Sequence, residues 1–328
     1  MKILLTGADG FLGTNITHEL IERGYKVRAF IQPGRSTELL DDLDIEKIIG
    51  DILNPEEIAE AAKGCDALIH AAANTSIWPS RSEIVCKVNI EGTKNVIEAA
   101  LAAKVKRMVY IGTANTFGFG DKENPGCEKN PYNATKYKMD YLDSKYEAHL
   151  HVVDAIKNKE LPCVIVNPTF MFGPYDSKPS SGAMIVGVYQ QRVPGYTQGG
   201  RNFIKVKDAA TGVANALTMG EIGECYILGN INLTYKEIFS KIAKITGAKA
   251  PRIQLPSWIV LLFGMLNSAK SAITRKAPTV SYQMAKISTD KHFFSAQKAV
   301  THLALPQNPI EEGITECFEW MKKHGYLQ

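Results

Sequence analysis

The sequence predicts an α/β chain, a doubly wound parallel sheet with a second, smaller and mostly helical unit, and three observations predict it. Short apolar runs alternate with longer segments of helical period through the first half, the pattern of strands joined by crossover helices. An apolar strand at the start, in MKILLTGADGFLG, runs into a glycine-spaced turn that opens a helix. From Gly173 the punctuation changes to a loop rich in proline and glycine, after which helical segments dominate.

Taken in order, residues 3–5 read as a buried strand, and Gly7, Gly10 and Gly13 supply a tight turn, room for a pyrophosphate, and close packing of helix on strand. Leu12, Ile16 and Leu20 carry one face of that helix, Gly24 closes it, and residues 26–31 form the second strand. This is a complete Rossmann-type unit, and the free amides at the helix start favour an anion. Further strands follow at 47–50, 67–70, 107–111 and 162–166, separated by helices at 56–62, 83–103 and 134–158. Residues 202–206, a helix at 208–219 and residues 225–228 read as a return to the sheet. The dinucleotide unit is therefore expected at 1–172 with 202–228, and the substrate unit at 173–201 and 229–328.

With 45% hydrophobic and 22% charged residues the 328-residue chain buries a full core. Net charge is +4 with no basic run, which argues against nucleic acid as a partner. Six scattered cysteines read as reduced thiols, and the N-terminus enters a strand without a signal-peptide pattern; both suit the cytoplasm. The most apolar run, residues 258–266, is too short to span a bilayer and reads as a core or domain-packing helix rather than a membrane-surface patch. His149 and His151, two apart on a helix, point in different directions and make no metal site.

TGADGFLG, GDILNPEEI, LIHAAA, VNIEGTKNVIEAA, YIGTANTFG, YLDSK and VNPTFMFGP, in that order, resemble the extended short-chain dehydrogenase/reductases of the NAD-dependent epimerase/dehydratase family. GGRNFIKVKDAATG and CYILGNINLTYKEI narrow the resemblance to the dihydroflavonol 4-reductase-like branch. It implies a catalytic set of Thr113, Tyr141 and Lys145, and a homodimer through the helix of Tyr141. Leu142, Tyr146, His149, Val153 and Ile156 form a stripe that suits that contact or the core equally. For the dinucleotide it implies Gly7, Asp9, Gly10, Phe11, Leu12 and Gly13 of the turn, Gln32 and Arg35 after the second strand, Asp51 and Ile52 after the third, Ala71, Ala72 and Ala73 after the fourth, then Asn89, Tyr141, Lys145 and Pro168.

The chemistry suits those residue types. A carbonyl being reduced gains negative charge on oxygen, so it needs hydroxyl donors and one acid. A tyrosine titrates near 10 unless an adjacent ammonium lowers it, and Tyr141 and Lys145 are four apart on one helix face. The same spacing occurs at Tyr132/Lys136 and Tyr282/Lys286. Tyr141 is preferred because Ser144 completes YxxSK. Thr113 stands where the family usually has serine, and its hydroxyl donates equally well.

At the end of the second strand Ile31 and Gln32 occupy the places where a carboxylate would hold an adenosine ribose, and Arg28 or Arg35 offers charge for a 2'-phosphate. NADP is favoured over NAD. Trp78, Phe117, Phe119, Phe170 and Met171 fall on loops at the carboxyl edge and suit an apolar or aromatic small-molecule ketone. Arg201 stands where nucleotide-sugar epimerases hold a diphosphate, and Ala114-Asn115 replaces the Asp-Glu pair of dehydratases. The expectation is an NADP-dependent ketone reductase. A nucleotide-sugar 4-epimerase retaining NAD and a dinucleotide-bound sensor without catalysis remain as alternatives.

Overall fold

The computed structural model describes residues 1–327. Its chain begins β1 (Lys2–Thr6), α1 (Phe11–Glu22), β2 (Lys26–Ile31), β3 (Glu46–Ile49), α2 (Pro55–Ala62) and β4 (Ala67–His70). There follow α3 (Glu83–Cys86), a π-helical stretch at Lys87–Glu91, α4 (Gly92–Ala102), β5 (Arg107–Ile111), α5 (Asp140–Lys159), β6 (Cys163–Pro168) and β7 (Phe170–Phe172). Then come α6 (Gly182–Tyr189), β8 (Gly200–Lys205), α7 (Val206–Asn215), β9 (Cys225–Leu228), β10 (Ile231–Thr234) and α8 (Tyr235–Thr246). The last elements are α9 (Ser257–Thr274), α10 (Tyr282–Thr289), β11 (Lys291–His292), α11 (Gln297–Leu303) and α12 (Ile310–Lys323).

Seven strands form one sheet in the order β3-β2-β1-β4-β5-β6-β9, and every pairing in it is parallel. Successive strand residues point to opposite faces, so Ile3 and Leu5 pack with α1 and α7 on one side, while Leu4 packs toward α2, α4 and α5 on the other. The winding reverses between β1 and β4, which opens a crevice at their carboxyl ends.

A second sheet has β8 at its centre, paired with β10 along one edge and with β11 and then β7 along the other. Only Thr169 separates β6 in the first sheet from β7 in the second. The segment expected at 202–206 therefore lies in the small sheet, and β9 alone returns to the large one. Phe172 and Phe203 anchor the small sheet against α6, α8 and α12.

Two expected helices are interrupted. The one at 83–103 contains the π-helical stretch, and the one at 134–158 is a short 3-10 turn at Ala134–Tyr137 followed by α5, because Lys138 takes a left-handed conformation with φ 53°. The run 258–266 is not a core helix. On α9 only Gly264 and Ser271 are buried, while Trp258, Phe263 and Leu266 are 66%, 51% and 59% exposed. The α5 stripe packs within the chain: Leu142 lies under Tyr137 and Ile287, Tyr146 stacks on Tyr132 with ring centroids 4.2 Å apart, and Val153 and Ile156 close the sheet core. No helix among the described residues is long and apolar enough to cross a membrane.

Candidate active site

The glycine turn is held by geometry that side chains would destroy. Gly7 has φ +71° and abuts Ala71 and Ala72, and a Cβ on Gly13 would lie 1.9 Å from the Gly7 carbonyl oxygen. Gly10 precedes α1 with no side-chain cap, and the first turn carries no carboxylate. The amides of Phe11, Leu12 and Gly13 thus open a helix N-terminus suited to a diphosphate. Ala72 N–H donates to the Thr6 hydroxyl, which fixes the 71–73 segment beside the turn.

Around this turn the sequence-derived residues divide. Asp9 pairs with Arg35 at 3.3 Å, which draws the exposed loop cation against the turn. Gln32 is exposed, but Ile31 is fully buried in the core, so only Gln32 faces the crevice. Arg28 is also excluded from it: its guanidinium binds Glu46 at 2.9 Å and the carbonyls of Ala61 and Lys63 at the far end of α2. The Asp51 carboxylate accepts from Leu53 N–H, and the Ile52 side chain is buried against Gly92. Asn89 is 2% exposed and its amide is engaged by the Asn74 backbone and the Ser144 hydroxyl. It clamps the loop after β4 to α5. Pro168 ends β6 opposite Leu228.

Tyr141 lies in the first turn of α5, partly buried, and Thr113 is the residue that leaves β5 behind a single glycine. Burial pushes the Tyr141 phenol up, and Thr113 and the charge of Arg201 offset part of that rise. Lys145, one turn along, is 5% exposed, donates to the Ile111 carbonyl at 2.8 Å and lies 4.8 Å from the Tyr110 ring centroid. Burial lowers its pKa to about 7. Arg201, from β8, is a cation whose charge also reaches the phenol.

The other two tyrosine-lysine pairs separate from this site. Tyr132 donates to Asp143 at 2.7 Å and stacks on Tyr146, while Tyr282 is 40% exposed on α10. Trp78 sits on the loop that Ser80 and Ser82 dock onto Asp140 at the start of α5. Phe119 is partly buried over His292, with centroids 4.1 Å apart, and Phe170 lies under the Arg201 guanidinium at 5.1 Å. Met171 packs on the sheet core, partly exposed. Phe117, expected on a substrate-facing loop, is instead 6% exposed and packed among Ala114, Ile227 and Phe294.

Sequence reasoning missed a buried polar chain behind Thr113. Asn115 donates its backbone N–H to the Thr113 oxygen at 3.3 Å, and its side-chain oxygen meets His292 Nδ1 at 3.1 Å. His292 Nε2 lies 3.0 Å from the Tyr137 hydroxyl, which donates to Asp290 at 2.6 Å. His292 is 3% exposed, and burial holds it neutral, well below the ordinary histidine range. Nothing local to position 292 signals this role, because β11 is brought there by its pairing with β8 and by bridges from Phe293 and Phe294 to Gly120 and Gly126. Among the described residues no cluster could hold a metal ion, and all six cysteines are free thiols.

Comparison with known proteins matches residues 3–229 to the NAD dependent epimerase/dehydratase family. A protein from Synechocystis sp. named "Putative dihydroflavonol 4-reductase" is 32% identical over 99% of this chain and 95% of its own length. A 2-alkyl-3-oxoalkanoate reductase from Shewanella oneidensis is 35% identical over 52% of this chain and 45% of its own length. The crystal structure of gox2253 superposes with a TM-score of 0.88 at 32% identity, covering 99% of both chains.

Proposed function

The chain belongs to the NAD-dependent epimerase/dehydratase family of extended short-chain dehydrogenase/reductases, and from that premise we propose that it reduces the ketone of a small apolar substrate. The observation that carries the reading is the convergence on the Tyr141 phenol, beside Phe119 at the carboxyl edge of the sheet, of Thr113 and of the Arg201 guanidinium that lies over Phe170. The Thr113 oxygen accepts from Asn115 N–H, so its single proton can turn from Tyr141 to a carbonyl oxygen placed between them. Tyr141 delivers the proton that the developing alkoxide requires, and the Arg201 charge stabilises the phenolate left behind. Lys145, held on the Ile111 carbonyl, fixes the floor of the site beside them.

A dinucleotide fits the uncapped start of α1, the Gly7–Gly13 contact and the segment 71–73. When bound it supplies the reducing equivalent. No carboxylate stands at Gln32, and Arg35 is drawn to the turn, which favours NADP over NAD.

Arg201 also favours a second reading, a nucleotide-sugar epimerase in which it holds the diphosphate. One experiment separates the two. Protein freed of small molecules is supplied with NADPH and a panel of hydrophobic ketones, or with UDP-glucose alone. The reductase consumes NADPH in step with ketone lost. Conversion of UDP-glucose with no net change in reduced nicotinamide, abolished by Arg201→Ala, replaces it with the epimerase.

A further inference from the structure

Helix α9 is amphipathic in the inverted sense. At 100° per residue, Ser257, Val260, Leu261, Gly264, Asn267, Ser268 and Ser271 fall on one side, and these are its shielded positions. That side packs on α10 closely enough that a Cβ on Gly264 would come within 2.7 Å of the Ala285 Cβ. The Ser268 hydroxyl accepts from Tyr282 N–H, and the Ser271 hydroxyl donates to the Lys276 carbonyl. Trp258, Leu262, Met265, Leu266 and Ile273 cover roughly half of the remaining circumference and are 66%, 43%, 52%, 59% and 85% exposed. The large apolar face therefore points away from the protein.

The charge around that face has one sign. Between residues 238 and 289 there is no aspartate or glutamate, in a chain whose net charge is only +4. Lys249, Arg252, Lys270, Arg275 and Lys276 flank or interrupt the apolar face, all are exposed, and among the described residues none forms an ion pair. A second copy of this chain docked face to face would oppose these cations to one another. An apolar stripe with a cationic border fits an anionic lipid surface.

We propose that α9 lies in the headgroup region of an anionic bilayer and holds the enzyme there, with Trp258, Leu262 and Leu266 in the acyl boundary and Lys270, Arg275 and Lys276 against lipid phosphates. The helix lies on the bilayer and does not cross it. Its partner α10 packs through Ile287 on Tyr137 and Leu142, so the docked face adjoins the rim of the candidate site. Docking stands or falls independently of the ketone-reductase reading.

Flotation of the full chain tests the inference. At low salt, vesicles of phosphatidylglycerol and phosphatidylcholine should carry at least tenfold more protein than vesicles of phosphatidylcholine alone, and moderate salt should reduce the difference. Leu262→Glu with Leu266→Glu should abolish flotation while leaving dinucleotide binding and Tm unchanged, since both side chains are exposed. Lys270→Glu with Lys276→Glu should remove the preference for the anionic lipid. The inference is overturned by absence of flotation, by flotation indifferent to Leu262→Glu with Leu266→Glu, or by a dimer in sedimentation velocity that those changes dissociate while wild type ignores vesicles.

Discussion

At the residue scale, what distinguishes Tyr141 from the chain's other tyrosines is the company of its hydroxyl. The Tyr132 hydroxyl is committed as a donor to Asp143, whereas Tyr141 faces Thr113 and the charge of Arg201. Tyr141→Phe should lower turnover by roughly two or more powers of ten and leave dinucleotide affinity near wild type, as steady-state kinetics and fluorescence titration will show. Tyr132→Phe should do little to turnover, and the opposite ranking would transfer the acid to Tyr132.

Lys145 yields a test of stability. Its pKa is lowered to about 7 in the fold from 10.5, so between those values the unfolded chain binds the extra proton and stability rises with pH. Below about 7 the buried ammonium carries its full desolvation penalty. Lys145→Met should therefore gain most in Tm relative to wild type at pH 6, with the gain shrinking by pH 9. A gap that is constant across pH would show that the amine is not desolvated in the free protein.

Spacing along one helix made Tyr141 and Lys145 legible in the sequence, because YxxSK is a local pattern. Arg201 was legible from its motif as a substrate-site residue, whereas His292 was not. His292 meets the site through β11, which pairs with β8 and continues into bridges with Gly120 and Gly126, contacts across long sequence separations that no local pattern encodes. Ile31 and Phe117 illustrate the reverse failure: both sit at crevice positions along the chain, yet their side chains turn into the core.

At the element scale, the strands of the large sheet were legible to within a residue or two because parallel strands buried on both faces are short apolar runs with clear ends, whereas β7, β10 and β11 of the small sheet were not read as strands. Helix starts were harder. The apolar period through residues 134–158 continues across Lys138, but Tyr137 is pinned to Asp290 and His292, and the backbone turns left-handed to begin α5 afresh at Asp140. That restart places Tyr141 in a first turn at the rim rather than in mid-helix. The glycine turn makes the matching demand on α1. Gly13→Ala should cost roughly 1–3 kcal/mol in denaturant unfolding and weaken dinucleotide binding, since its methyl group would collide with the Gly7 carbonyl. Unchanged affinity in that variant would mean that the turn relaxes without loss of the anion site.

At the scale of the whole molecule, apolar run 258–266 shows how composition can mislead. Nine apolar or glycine residues in a row read as core, yet the fold buries the small side of α9 and turns the large one outward. Periodicity locates a face without saying which face the rest of the chain will cover.

The passage from β6 to β7 through Thr169 gives the two sheets a shared fate in time as well as in space. Thr169 N–H donates to the Leu228 carbonyl in the large sheet while its hydroxyl donates to Asn202 in the small one. No slack is left there for one sheet to open while the other stays shut. Native-state hydrogen exchange should accordingly find the amides of Ile165, Thr169 and Phe203 released together, in a single cooperative opening near the global unfolding free energy. Earlier release of Phe203 would instead identify the small sheet as a separately melting unit, and would move the flexible joint from residue 169 to the connections at 173–181 and 229–230.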